Sequence, residues 1–407
     1  MTEILKPASA PQLRDAIAWA AAEEATLEVM GLGSKRGLGR PLQASHTLDL
    51  SALAGVVSYE PSELVLTARA GTPMREIEAL LRENRQILGF EPPDLAPLFG
   101  GREGDGTIGG VIASNLAGPR RVKAGAARDH FLGMSGVSGR GEAFKAGGKV
   151  VKNVTGYDLC KLLAGSFGTL AVMDEVTVKV LPAPDKARTV LVFGLDDTRA
   201  AAAMADALNS PFEISAAAHL PARVASRVDV SYVRNAGGAV TALRIEGTAV
   251  SVAARCAALR ERLGSYGAVE ELHSMNSAKL WRAIRDVAPL LPDPRAVIWR
   301  LSVPPSEGAR AAAAIAAVRD VELFYDWGGG LIWLATEAAA DGGAAAVRAA
   351  VGASGGHATL IRAADALRSA VPVFEPQPGA LGALTARVKD GFDPRRILNP
   401  GRMYAGV

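Results

Sequence analysis

Apolar positions recur along the chain with two periods, which sort it into helices and strands. Residues 11–24 carry apolar side chains at helical spacing with Ser9 near the start, so an amphipathic helix is expected there. Residues 26–30 read as a short strand running into a glycine-rich loop. Positions 56–59, a turn at Glu60-Pro61-Ser62-Glu63 and positions 64–68 read as a hairpin. Gly71-Thr72-Pro73 opens a helix reaching to Asn84, with Thr72 as its N-cap and Pro73 in its first turn. Positions 170–180 set Val172, Val176, Val178 and Val180 against Asp174, Thr177 and Lys179, the alternation of a strand.

Beyond a linker marked by Pro182 and Pro184, strand and helix patterns alternate. Strands are expected at 189–193, 240–245, 297–303, 331–335 and 358–361, and helices at 197–208, 250–263 and 309–318. The pattern predicts an α+β chain whose second half is built on an antiparallel sheet. The expected boundaries are 1–182 for the first domain and 187–380 for the second, with a tail at 381–407.

Composition narrows the function. With 407 residues, 49% apolar and 21% charged, the chain can bury large cores and is not disordered. Its 45 basic and 42 acidic residues nearly cancel, and no basic helix or stacking platform stands out, so no nucleic-acid partner is expected. No apolar run reaches the length of a spanning helix. The first residues lack the pattern of a secretory leader, so the expected location is the cytoplasm, with peripheral inner-membrane association through partners left open. Two cysteines, Cys160 and Cys256, cannot ligate an iron–sulfur cluster or build a disulfide framework.

The 44 glycines cluster at 31–39, 100–118, 133–148 and 156–168. In the first cluster, Gly31-Leu32-Gly33-Ser34-Lys35-Arg36-Gly37-Leu38-Gly39-Arg40 follows a strand. Glycines let the backbone turn and approach a ligand, successive amides can form an anion-binding hollow, and Lys35, Arg36 and Arg40 add positive charge. The loop reads either as a pyrophosphate cradle or as a solvent loop with a basic rim. It is no Rossmann turn, because the sixth position is Arg36 counting from Gly31 and Leu42 counting from Gly37. Gly104-Asp105-Gly106-Thr107-Ile108-Gly109 fits that spacing but follows no strand pattern, and no P-loop is present. Gly106 to Gly110 precede a short apolar helical run whose free amides would suit a phosphate.

Three ordered motifs carry a resemblance. Gly106-Thr107-Ile108-Gly109-Gly110, Lys152-Asn153-Val154-Thr155-Gly156-Tyr157-Asp158 and Gly165-Ser166-Phe167-Gly168-Thr169-Leu170 resemble the FAD-binding domain of vanillyl-alcohol-oxidase-type flavoproteins. The second half, down to Phe392-Asp393-Pro394-Arg395-Arg396-Ile397-Leu398-Asn399-Pro400-Gly401, resembles the FAD-linked oxidase group. Gly33-Ser34-Lys35 and Trp299-Arg300-Leu301-Ser302-Val303-Pro304-Pro305 are similar to the FAD-binding subunits of bacterial glycolate oxidases within that group.

The resemblance implies a two-subdomain FAD-binding domain, then an α+β cap domain, then a tail that returns to the FAD domain. It implies that Gly31, Gly33, Ser34 and Lys35 hold the pyrophosphate, while Thr107, Gly109, Gly110, Ala113 and Asn115 line the pyrophosphate and the isoalloxazine edge. Arg128, Asp129 and Gly133 would continue that wall. Gly168, Thr169 and Leu170 would face the adenosine, and Asn399 would close the site. Family members with covalent FAD use a His in the first loop or a Cys in the second. Ser34 stands in the first loop here and no cysteine precedes Cys160, so noncovalent FAD is expected.

The implied activity is oxidation of glycolate, a 2-hydroxy acid, to glyoxylate, with electrons passing to an iron–sulfur subunit. A second, catalytic flavoprotein subunit would be the other partner. An autonomous FAD oxidase of another alcohol or hydroxy acid, and a noncatalytic assembly subunit, remain alternatives. The five histidines form no H-x-x-H pair, so no metal site is expected. His357 is a candidate base or a surface histidine. Arg300, mid-strand, needs a partner, either an internal carboxylate or the carboxylate of a substrate.

Overall fold

The computed structural model describes residues 3–148 and 156–407. The chain divides into two units: residues 1–117, 125–183 and 376–407 form the first, and residues 118–124 and 184–375 the second. The main crossover lies at the proline linker, and the tail belongs to the first unit from residue 376. The unforeseen feature is the excursion of residues 118–124 into the second unit.

In the first unit, the helix Ala10–Ala22 buries Leu13, Ile17 and Ala20 on one face, and Ser9 caps it by accepting from the Gln12 amide. It packs on a three-stranded parallel sheet in the order Glu3–Leu5, His46–Asp49, Leu27–Met30. The outer edge of Leu27–Met30 does not stay open. The tail covers it: Leu27 N donates to Ile397 O at 2.7 Å, and Asn399 N donates to Leu27 O at 3.0 Å. Such cover removes the exposed donors and acceptors of an edge strand.

A five-stranded antiparallel sheet forms the other layer, ordered Val56–Glu60, Val65–Arg69, Ala171–Lys179, Phe131–Ser138, Ala143–Gly147. The expected hairpin is present. The alternation in Ala171–Lys179 is weaker than expected, because Asp174 and Thr177 are buried too. Both are satisfied within the sheet: Ser135 Oγ donates to Asp174 at 2.7 Å, and Thr177 shares a 2.8 Å bond with Thr67. The helix Met74–Glu83 begins after Pro73, with no side-chain cap. Thr72 does not cap it; its hydroxyl donates to Arg69 O at 2.6 Å and accepts from Gly55 N at 2.9 Å, fastening the turn instead.

The second unit is an eight-stranded antiparallel sheet. Its order is Val269–Leu272, Lys186–Phe193, Val240–Gly247, Ile214–Leu220, Val321–Asp326, Leu331–Thr336, Val297–Ser302, His357–Arg362. Two apolar cores lie on it. One gathers Val190, Leu243 and Ile245 with Met204 and Cys256, and the other gathers Trp299, Leu301 and Leu334 with Ile315 and Val351. The alanine-rich strand Ile214–Leu220 and the strand Val321–Asp326 join those the pattern predicts.

Candidate cofactor and substrate sites

In the first unit, the glycine loop emerges from Leu27–Met30 beside the short helix Ile108–Ser114 and borders a cavity of about 550 Å³. A second hollow of about 450 Å³ shares Val29, Met30, Gly31, Thr107, Phe167 and Asn399 with it and adds the apolar surface of Leu50, Ala171, Val172 and Met173.

The loop supplies donors. Among the described residues, the amides of Leu32, Gly33, Ser34 and Lys35 meet no acceptor in the protein. Gly33 adopts φ +79°, a left-handed turn that favours glycine. A Cβ on Gly31 would stand 2.7 Å from Thr107 Oγ1, so this backbone lies against the helix start with no room for a side chain. The half-buried Lys35 lies over the same helix start, its Nζ 3.4 Å and 3.7 Å from where Cβ atoms on Gly106 and Gly110 would be. Burial pulls its pKa down to about 8, against the opposing pull of Asp94. Arg36 is spoken for, since it grips Glu28 through two bonds of 2.9 and 2.5 Å.

The helix start itself departs from expectation. Its amides are not free: Ile108 N donates to Thr72 O, Gly109 N to Ala70 O and Gly110 N to Thr107 Oγ1. The loop at 32–35, rather than the helix, therefore presents the amides without an acceptor. Four unsatisfied amides beside a desolvated ammonium fit a pyrophosphate, and the adjoining apolar hollow fits a flat aromatic ring.

The sequence-predicted residues separate into two groups. Gly31, Gly33, Ser34, Lys35, Thr107, Gly109, Gly110, Ala113, Gly168 and Asn399 line the paired hollows. Asn115, Arg128, Asp129, Gly133, Thr169 and Leu170 do not. Asn115 ends the helix in a left-handed turn and accepts from Arg128 N at 3.0 Å. Arg128 points to solvent, and Asp129 accepts from Ala126 N at 2.8 Å. Gly133 packs against Gly148, Thr169 holds Ser166 O through its hydroxyl, and Leu170 sits in the core. Each is taken up by a local structural bond or by packing. Of the second expected motif, Lys152 to Thr155 lie outside the described residues; Tyr157 is exposed, and Asp158 caps a short helix by accepting from Lys161 N. Phe167, Met30 and Arg402 also line the cavity and had not been singled out; Arg402 Nη1 donates to Arg36 O at 3.2 Å.

In the second unit, Arg300 stands mid-strand opposite Trp333 and Thr359. Its guanidinium lies 5.0 Å from the centroid of Trp327, and Arg121 lies 4.3 Å from the same ring. Trp327 is held in place by a 3.0 Å bond from its Nε1 to Gly118 O. Among the described residues Arg300 has no direct ion pair and no side-chain hydrogen bond; the buried carboxylate of Asp326 attracts it without touching it. Burial and then the Arg121 charge bring its pKa down to about 10, against the pull of Asp326.

His357 opens the neighbouring strand, two residues from the position paired with Arg300 and so on the same sheet face. Its side chain is exposed, as in the surface alternative, and partial desolvation and then Arg300 lower its pKa. Arg362 is occupied with the carbonyls of Ala296 and Asp293. Arg120 makes a two-pronged bond of 3.0 and 2.6 Å to Glu246, fixing residues 118–124 within this unit. No cluster of three metal-ligating side chains occurs among the described residues, and no helix of the described residues is long and apolar enough to cross a membrane.

The fold is that of the vanillyl-alcohol-oxidase-type FAD-binding proteins. Solved structures share the architecture: the 4-ethylphenol oxidase of Gulosibacter chungangensis superposes with a TM-score of 0.74 at 14% identity, covering 99% of this chain and 89% of that one. Residues 2–147 match the family described as an FAD binding domain. The glycolate oxidase subunit GlcE of Escherichia coli K12 is 35% identical over 389 residues, 95% of each chain. This chain belongs to the GlcE family of FAD-linked oxidoreductases. The glycolate oxidase subunit GlcD of Bacillus subtilis is 40% identical over 102 residues, which cover 25% of this chain and 21% of GlcD.

Proposed function

We propose that the protein is the FAD-binding subunit of a glycolate oxidase assembly, oxidising glycolate to glyoxylate and handing electrons to partner subunits. The observation that carries this reading is the likeness to GlcE along 95% of both chains. The geometry supports it in each unit. In the first, the amides of residues 32–35 and the Lys35 ammonium would hold the FAD pyrophosphate. The hollow of Leu50, Val172 and Met173 would take its adenine. Among the described residues no His or Cys lines either hollow, so none is placed to bond the flavin.

Bound FAD supplies a hydride acceptor for the α-hydrogen of a 2-hydroxy acid. Arg300, which has no direct carboxylate partner among the described residues, would bind the carboxylate, and His357 on the same sheet face is the candidate to take the hydroxyl proton. The electrons must then leave the chain, since two buried cysteines cannot hold a cluster. A GlcD-like flavoprotein and an iron–sulfur subunit are the partners proposed, consistent with the subunit names of the relatives.

The test is a dye-linked glycolate assay on the isolated protein and on the protein co-expressed with its two partners. Activity that needs the partners, and that falls with Arg300→Met, supports the reading. Full activity in isolation would make the protein an autonomous oxidase. Bound FAD that no 2-hydroxy acid reduces in either state would make it an assembly subunit.

A further inference from the structure

The tail carries a buried ion pair that neither the sequence patterns nor the proposed chemistry uses. Lys389, on the helix Gly379–Phe392, and Asp393, one turn on, are both fully buried, with Lys389 Nζ 2.8 Å from Asp393 Oδ2. The remaining bonds of the pair go to backbone groups of two segments that adjoin the cavity wall. Lys389 Nζ donates to Thr169 O at 2.6 Å and to Leu398 O at 2.9 Å. Asp393 accepts from Ile397 N at 3.1 Å and from Leu398 N at 2.8 Å.

Two segments are tied together by this pair: the turn 167–170 and the strand-like stretch 397–399. The next residue is Asn399, whose Oδ1 accepts from Val29 N at 2.8 Å and whose Nδ2 donates to Phe167 O at 2.7 Å. Val29, Phe167 and Asn399 all line the paired hollows.

Strain marks the same place. Phe167 has φ +54° and Asn399 has φ +42°. Asparagine tolerates the left-handed region, whereas a phenylalanine holds it only when its surroundings impose it. Here Phe167 is pinned from both sides, by its amide to Ala113 O at 2.8 Å and by Asn399 at its carbonyl. The tail thus fixes a cavity wall in a conformation that the wall would not keep alone.

We propose that Lys389 and Asp393 are positioning residues that couple docking of the C-terminal tail to FAD binding. The inference rests on the reading of the first-unit cavity as the FAD site. Coupling of this kind is reciprocal: the docked tail raises FAD affinity, and FAD holds the tail docked.

The test has two arms, both on the full chain. In the first, hydrogen exchange of the peptide spanning residues 393–399 is followed by mass spectrometry with and without FAD. The Ile397 and Leu398 amides are expected to exchange at least about tenfold more slowly with FAD bound. In the second, FAD titrations compare the wild type with Lys389→Met and Asp393→Asn. Both variants are expected to bind FAD about tenfold or more weakly, and FAD should no longer slow their tail exchange. A purely structural pair would lower the melting temperature while leaving FAD protection of the tail intact. Should a variant fail to fold, the wild-type exchange arm alone decides. FAD that binds the wild type without slowing tail exchange overturns the coupling but leaves the cofactor site standing. Failure of the wild type to bind FAD at all overturns both.

Discussion

Replacing Lys35 with methionine separates cofactor binding from stability. In the cofactor-free protein, burial lowers the Lys35 pKa from 10.5 to about 8, so the charged form is disfavoured in the fold. At 1.36 kcal/mol per unit this amounts to about 3 kcal/mol, an upper figure for a half-buried group. The folded protein binds fewer protons here than the unfolded chain between pH 8 and 10.5. The strain is therefore fully present below pH 8 and is relieved as pH rises through that window.

Lys35→Met should accordingly raise the melting temperature of the cofactor-free protein at pH 7. It should also weaken FAD, because a charged hydrogen bond to phosphate contributes about 1.5–3 kcal/mol, roughly 10- to 150-fold in the dissociation constant. The pyrophosphate stabilises the ammonium, so wild-type affinity should be flat below pH 8 and should fall above it as the free protein loses the proton. Quenching of FAD fluorescence, titrated from pH 6.5 to 9.5, reads this directly. A variant that keeps the wild-type pH profile, or that binds FAD equally well, would refute the assignment of Lys35 to the phosphates.

Other substitutions follow from the same geometry. Gly31→Val places a branched side chain where even a Cβ lies 2.7 Å from Thr107, so the purified variant should contain little flavin by absorbance while keeping its circular dichroism. Arg300→Lys keeps the charge but loses the planar fork, so it should raise the glycolate KM more than it lowers kcat; unchanged steady-state constants would remove Arg300 from carboxylate binding. Glu246 is held down to about 2 by Arg244 and Arg120 against the opposing effect of burial. Arg120→Ala should therefore cost about 3 kcal/mol in denaturant unfolding of this unit. Because the Glu246 pKa is depressed on folding, its contribution is present above pH 4.5 and is lost as pH falls toward 2, which acid titrations of wild type and Glu246→Gln would show.

Much of the architecture was legible because local periodicity coincided with burial. The helix Asp197–Leu208 and the strands of the second unit begin and end close to where the pattern places them. Ile214–Leu220 was not legible: its Ala216, Ala217 and Ala218 give no alternation, and all seven residues are buried because the strand lies inside the sheet. The short excursion at 118–124 carries no pattern of its own and is fixed by Glu246 and Trp327, more than a hundred residues away.

The cofactor loop was legible in its glycines, yet the roles of neighbouring amides were not. The amides of Ile108 and Gly109 are consumed by Thr72 and Ala70, partners that only the folded chain brings near. Arg121 is exposed, and its place over the Trp327 ring is set by a residue far along the chain that no local pattern announces. Asp129 and Gly133 sit in a glycine-rich stretch that suggests a ligand wall, but they serve a turn and a close strand packing.

If the hollows beside residues 31–35 hold FAD without a covalent bond, denaturing the chain must set the flavin free. Acid precipitation of the purified protein, with flavin measured in pellet and supernatant, tests it most directly. A yellow protein that releases all of its flavin, as FAD, into the supernatant is expected. A colourless protein that takes up no added FAD, or flavin that stays with the precipitated chain, would contradict it.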